Sequence, residues 1–160
     1  YGTGVLYEYD IATNTATTKF DFLYETGVTT FGGMAQASNG NFYGVTYQGG
    51  TSSGQGVLYE YNPTTGVYTK KIELGQTLNG KNPYSGLTQA ANKKLYGVTY
   101  RGGATNEGIL FEIDPITNVF TKKHDFSFNS GALPQGTLLL AANGNLYGMT
   151  SSGGPTDDGV

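Results

Sequence analysis

The sequence predicts an all-β protein made of β-propeller blades, each a four-stranded antiparallel sheet. Three observations predict it. The run Gly4-Val-Leu-Tyr-Glu-Tyr-Asp10 returns as Gly56-Val-Leu-Tyr-Glu-Tyr-Asn62 and again as Gly108-Ile-Leu-Phe-Glu-Ile-Asp114, 52 residues apart both times. Between these runs lie further short strand-like segments separated by Gly, Asn, Asp and Pro, the residues that turn a chain. Apolar residues alternate at period two, and helical periodicity is absent. A period near 50 residues carrying four strands is the signature of a radial β array.

One repeat shows how each element follows. Gly86–Ala90 predicts a short first strand, and Lys94–Tyr100 the second, with counterparts at Asn41–Tyr47 and Asn145–Ser151. The turns between them are Ser38-Asn39-Gly40, Ala91-Asn92-Lys93 and Ala142-Asn143-Gly144. Asn-Gly predicts a tight hairpin, since both residues tolerate positive φ. The third strand is the Gly-Val-Leu-Tyr-Glu-Tyr run. It ends in Asn62-Pro-Thr-Thr-Gly66, matched by Asp10–Asn14 and Asp114–Asn118, where Asx first and Gly or Asn last predicts a turn. The fourth strand is Val67–Leu74, matched by Thr15–Phe22 and Val119–Phe126. Alternation sends Val57, Tyr59 and Tyr61 to one face, and Leu58 and Glu60 to the other. Both faces carry bulk, as a sheet packed on both sides requires.

The cut through the period is off-phase. A single repeat domain over 1–160 is expected, with blade strands three and four at 4–22, full blades at 33–74 and 86–126, strands one and two at 137–151, and a new repeat starting at Gly159. Propellers close with about 4–8 blades, so three blades' worth of chain is expected to be continued. Two copies joined into a six-blade ring, a piece of a larger ring, or an open head-to-tail array all fit. The chain begins at Tyr1 rather than Met, which reads as a processed form or a part of something longer.

Composition narrows the partners. Only 13% of residues are charged and the net charge is −3, against the basic face that nucleic acid or an anionic membrane demands. The longest apolar run, Leu138–Ala142, is far short of a membrane span. There is no cysteine, so disulfides and thiolate metal sites are excluded. His124 is the single histidine and stands where Phe20 and Ile72 stand in the other copies, so a packed or half-buried histidine is expected. Neither a metal nor a cofactor is expected.

The repeat motif, carried by Gly56–Asn62 and by Asn92–Gly103 with its Leu-Tyr-Gly-Val-Thr core, resembles the Gloeo/Verruco (GloVer) tandem repeat over essentially the whole length. Phe42 stands for the motif's Leu in the first copy, and Lys93 for its turn glycine in the second. The resemblance implies a secreted or surface-attached bacterial protein, often with repeats in long arrays. It supplies no activity and no catalytic residues.

Candidate sites follow from the phase of the loops. Connections between strands two and three (47–55, 100–107 and 151–158) and between four and one (23–33, 75–85 and 127–136) share the face where propellers bind ligands. They hold Tyr47, Gln48, Tyr84, Tyr100, Arg101, Asn106, Glu107, Asp157 and Asp158. Aromatic bodies with polar tips suit a glycan or a protein ligand. Against a lectin, these positions differ between copies: Ser151 stands where Tyr47 and Tyr100 stand. Glu8, Glu60 and Glu112 do recur, but each has lysines on the neighbouring strand (Lys19; Lys70 and Lys71; Lys122 and Lys123), so a structural cross-strand pair is expected. The glycine-rich loops lack Gly-Lys-[Ser/Thr] and a following helix, which argues against nucleotide binding.

The function expected is therefore a non-catalytic structural or interaction module, extracellular or on the cell surface, self-associating through complementary half-blades. The alternatives are a carbohydrate-binding propeller, a building block of an extracellular filament, and an enzyme fragment whose site forms only across blades.

Overall fold

Val5–Asp10 (β1) and Thr15–Asp21 (β2) form an antiparallel hairpin that opens the chain. Two four-stranded sheets follow, each a simple antiparallel meander. The first is Ala35–Gln36 (β3), Phe42–Thr46 (β4), Val57–Asn62 (β5) and Val67–Glu73 (β6), paired in that order. The second is Thr88–Gln89 (β7), Leu95–Thr99 (β8), Ile109–Ile113 (β9) and Phe120–Asp125 (β10). Ala132–Pro134 (β11), Leu139–Leu140 (β12), Leu146–Tyr147 (β13) and Thr150–Ser152 (β14) complete the chain; β12 pairs with β13, and β11 with β14. The computed structural model describes residues 3–75 and 79–160; Tyr1 and residues 76–78 of the expected 75–85 loop lie outside them. No helix occurs among the described residues, and the architecture is that of propeller blades.

Turn chemistry explains the hairpins between strands three and four. The side-chain oxygen of Asp10 accepts the amides of Ala12 and Thr13, that of Asn62 those of Thr64 and Thr65, and that of Asp114 those of Ile116 and Thr117. The last turn residue is left-handed in every copy: Asn14 at φ 54°, Gly66 at 72° and Asn118 at 59°. Only Gly and Asn adopt this conformation cheaply, which is why they alternate there.

The turns between strands one and two differ from the expectation. Only the last residue takes positive φ: Gly40, Lys93 and Gly144. The asparagine before it keeps negative φ because its side chain is occupied. Asn39, Asn92 and Asn143 each accept the amide two residues on and donate Nδ2 to a tyrosine hydroxyl. These are three-residue loops closed between Ala37 and Asn41, Ala90 and Lys94, and Ala141 and Asn145, not two-residue ones.

The inner strands are also shorter than expected. The predicted 86–90 strand is reduced to Thr88–Gln89, because Gly86 bonds sideways: its amide donates to Thr137 Oγ1 of the next blade at 3.0 Å. A short element between strands four and one was not anticipated. Ala132–Pro134 pairs with Thr150–Ser152, and single bridges Val28–Gln48 and Lys81–Arg101 stand at the equivalent places. Each such segment carries a left-handed non-glycine residue, namely Thr29, Asn82 or Leu133.

The core lies between sheets. Leu58, Leu95, Ile109, Phe111 and Ile113 are each 0% exposed and join the two complete blades. Leu6, Phe22, Val57, Tyr59 and Tyr61 join the opening hairpin to the first blade, with Phe20 stacked on Tyr68 at 4.2 Å. A repeat therefore buries its two faces only against its neighbours, as in other stacked repeats.

His124 departs from the expectation that it would be packed: it is exposed. Phe20 and Ile72 hold the same place in their repeats and are half-buried, because a following blade covers them. Among the described residues no strands three and four of a following blade cover His124.

Candidate functional site

The carboxylate that recurs on strand three is the hub of a relay across each complete blade. Asn39 donates to Tyr43 Oη at 3.0 Å, and Tyr43 donates to Glu60 Oε2 at 2.7 Å. Asn41 and Lys71 add contacts to Glu60 at 2.7 and 2.8 Å. In the second blade Asn92 donates to Tyr96, and Tyr96 to Glu112, while Lys94 contacts Glu112 at 2.8 Å and Lys123 lies at 3.7 Å. The pairing places Tyr43 opposite Glu60 and Tyr96 opposite Glu112. Lys94 first, then Tyr96, holds the Glu112 carboxyl below its ordinary range. Glu60 is also lowered: burial pushes it up, but Lys71 and Tyr43 outweigh burial. The expected Glu–Lys pairs are present, and the tyrosine and asparagine join them. Asn stands four residues before Tyr in all three copies, and that spacing is the signal that could have found the relay.

A carboxyl held low in the folded chain contributes stability above its unfolded value of about 4.5 and loses it as pH falls through the folded value. Glu112→Gln is therefore expected to cost about 1–2 kcal/mol at pH 7, at the lower end for charged hydrogen bonds because both lysines reach solvent. Urea titrations at pH 7 and pH 3 check this; the two proteins should converge at the lower pH.

The ligand-contact candidates divide into two groups. Tyr47, Tyr84 and Tyr100 come together, joined by Phe31. Phe31 stacks on Tyr84 at 4.8 Å; Tyr84 lies 4.7 Å from Tyr47 and 5.2 Å from Tyr100. Arg101 sits over Tyr100 at 5.2 Å and reaches Glu107 at 3.7 Å. Burial and the neighbouring Tyr84 raise the Tyr47 phenol above its usual value. These rings form a ladder between adjacent blades on one face. The others sit differently. Gln48 exchanges both backbone hydrogen bonds with Val28. Asn106 and Asp157 are left-handed turn residues at the place of Gly54, and their side chains accept the amides of Gly102 and Gly153. Asp158 is exposed beside Asp157.

Two cavities lie away from this face, one beside β13 and β14 and one beside β1. One of about 360 Å³ is lined by Leu110, His124, Phe126, Leu146, Gly148 and Met149 among others. Another, of about 420 Å³, is lined by Val5, Leu6, Tyr7, Phe22 and Met34 with neighbouring residues. Exposure marks the same places. Val5, Tyr7 and Tyr9 are 47%, 65% and 52% exposed, whereas their equivalents Val57, Tyr59 and Tyr61 are 0%, 3% and 3% exposed. Tyr147 and Met149 are exposed at the other end. Both cavities lie beside residues whose equivalents in the complete blades are buried.

Sheets of four antiparallel strands with cores shared between neighbours define a β-propeller-type repeat protein. The chain belongs to the Gloeobacter/Verrucomicrobia repeat family, whose model matches residues 1–160. Among solved structures it resembles the extracellular domain of the candidate one-component system BT4673 from B. thetaiotaomicron. That likeness has a TM-score of 0.61 at 20% identity and covers 91% of this chain and 17% of that one. It also resembles a candidate gluconolactonase, with a TM-score of 0.59 at 12% identity, over 87% of this chain and 46% of that one. The chain thus spans less than half of either protein, and at these identities the likeness concerns the fold. No curated protein matches the sequence. Among the described residues no helix is long and apolar enough to cross a membrane.

Proposed function

We propose that this chain is a non-catalytic structural module, working outside the cell, whose role is to associate with further blades. The observation that carries the reading is the contrast between equivalent residues: Tyr59 and Phe111 are buried between blades, while Tyr7 is 65% exposed on the same face of the same motif. Apolar surface of this size, shaped as a blade seat, marks an interaction surface. The residues shared by all copies serve turns, blade packing and the Asn–Tyr–Glu relay. The rings of the tyrosine ladder contact one another across blades, Phe31 stacked on Tyr84 and Tyr100 edge-on to it, which favours blade stacking over a carbohydrate-binding reading. An extracellular setting is supported by the family and by the likeness to an extracellular domain.

Light scattering on the purified chain tests the association. A mass above that of one 16.9 kDa chain is expected. A stable, folded monomer at high concentration contradicts it.

A further inference from the structure

We infer that the Gly-Gly loop between strands two and three of each complete blade is an anion receptor filled from within. Its ligand is the carboxylate that ends strand four of the same blade, Glu73 or Asp125, and without that side chain it takes up a small free carboxylate.

The first blade shows the full set of contacts. Glu73 Oε1 accepts the Thr51 amide at 3.0 Å and the Thr51 hydroxyl at 2.6 Å, and Oε2 accepts the Ser52 amide at 2.9 Å. Lys70 pairs with the same carboxylate from three residues earlier on β6. Two successive amides turned to one anion form a nest, which the hydroxyl and the ammonium complete. The second blade repeats the arrangement with a shorter side chain. Asp125 Oδ1 accepts the Ala104 amide at 2.9 Å, and Lys122 meets Oδ2 at 2.6 Å. An acidic residue recurs at this place, as Asp21, Glu73 and Asp125, 52 residues apart. Lys70 first, then Thr51 and Ser52, holds the Glu73 carboxyl well below its ordinary range, and Lys122 with the Ala104 amide lowers that of Asp125.

The glycines make room for the anion. Gly50 and Gly103 take φ of 100° and 79°, and a Cβ on Gly103 would fall 2.5 Å from Asp125 Oδ1. A second tie runs alongside: the Ser53 hydroxyl donates to the Leu74 carbonyl, and the Thr105 hydroxyl to that of Phe126 at 2.9 Å. Each loop is thus strapped to its outer strand, while Tyr47 or Tyr100 at its start joins the ring ladder. The third loop departs. Pro155 stands where Thr51 and Ala104 donate and has no N–H, so that contact cannot form there. The receptor therefore belongs to the two complete blades.

Amide hydrogen exchange on Glu73→Ala, with acetate as the probe, tests the inference. Exchange at Thr51 and Ser52 is expected to quicken about tenfold, as loss of one charge-assisted hydrogen bond implies. Gly66, whose amide bonds Asn62 in the turn between strands three and four, should keep its rate. Sodium acetate, compared with sodium chloride at equal ionic strength, should slow Thr51 and Ser52 again in the variant and leave the unsubstituted chain as it was. Asp125→Ala should quicken Ala104 alone, and it decides by the same two readings where Glu73→Ala does not fold. Unaltered exchange in a folded variant overturns the clasp. Quickened exchange on which acetate and chloride act alike overturns the receptor.

Discussion

Phe111→Ala is expected to destabilise the chain by about 4 kcal/mol, within the range for removing a buried aromatic ring. The ring is 0% exposed, stacks on Phe120 at 5.0 Å, and lies over Gly97 in the cluster that joins the two complete blades. Closing the void by collapse is resisted because β9 is hydrogen-bonded to β8 on one side and, through a bulge at Lys123, to β10 on the other. The loss falls on the interface between blades, so neighbouring repeats should uncouple as well as weaken. For a domain of this size it corresponds to a fall in Tm of roughly 8–16 °C. Calorimetry checks the fall; a shift under 3 °C would show that the core between blades is not what holds them.

Gly32→Ala carries the second large effect, expected at about 3 kcal/mol, the upper end for overpacking. The backbone conformation at Gly32 is ordinary, so the cost is steric. A Cβ there would fall on the backbone of Ser85 and Gly86 in the next blade, and backbone atoms, with the Gly86 amide tied to Thr137, cannot rotate away as side chains can. Gly86 faces the same junction, with its hypothetical Cβ 2.6 Å from the carbonyl oxygen of Gly33. Gly33 itself is the control: a Cβ there meets nothing within 4 Å. Gly33→Ala should therefore leave stability unchanged within about 0.5 kcal/mol. Urea denaturation of the pair separates close blade approach from general loss of glycine flexibility.

Much of the fold is legible in the sequence because its determinants are local. The Asp10, Asn62 and Asp114 turns are fixed by side chains that bond amides two and three residues on, and the 52-residue spacing follows from repeating them. What was not legible depends on contacts between blades. Gly86 turns sideways to Thr137, and Val28, Lys81 and Ala132 pair with the end of strand two, through partners far away in the chain. His124 illustrates the same limit. Its equivalence to Phe20 and Ile72 identifies a packing position, but burial there is conferred by the next blade. The candidate face was half legible: loop phase brings Tyr47, Tyr84 and Tyr100 together, while Phe31 escaped notice. Asn106 and Asp157 share the left-handed place of Gly54, so their polarity serves the turn. The Asn–Tyr–Glu relay links the repeat to its function, since its hydrogen bonds complete a blade only when strands two and three meet.

The central proposal is that the exposed faces of β1 and β13 take up further blades. The mass of the chain in solution, measured by light scattering across a hundredfold range of concentration, tests it most directly. A closed pair of copies predicts a constant mass of twice 16.9 kDa, and an open head-to-tail array predicts a mass that climbs with concentration. A well-folded protein that stays at 16.9 kDa throughout, with Tyr7 and Tyr147 in solvent, would contradict it.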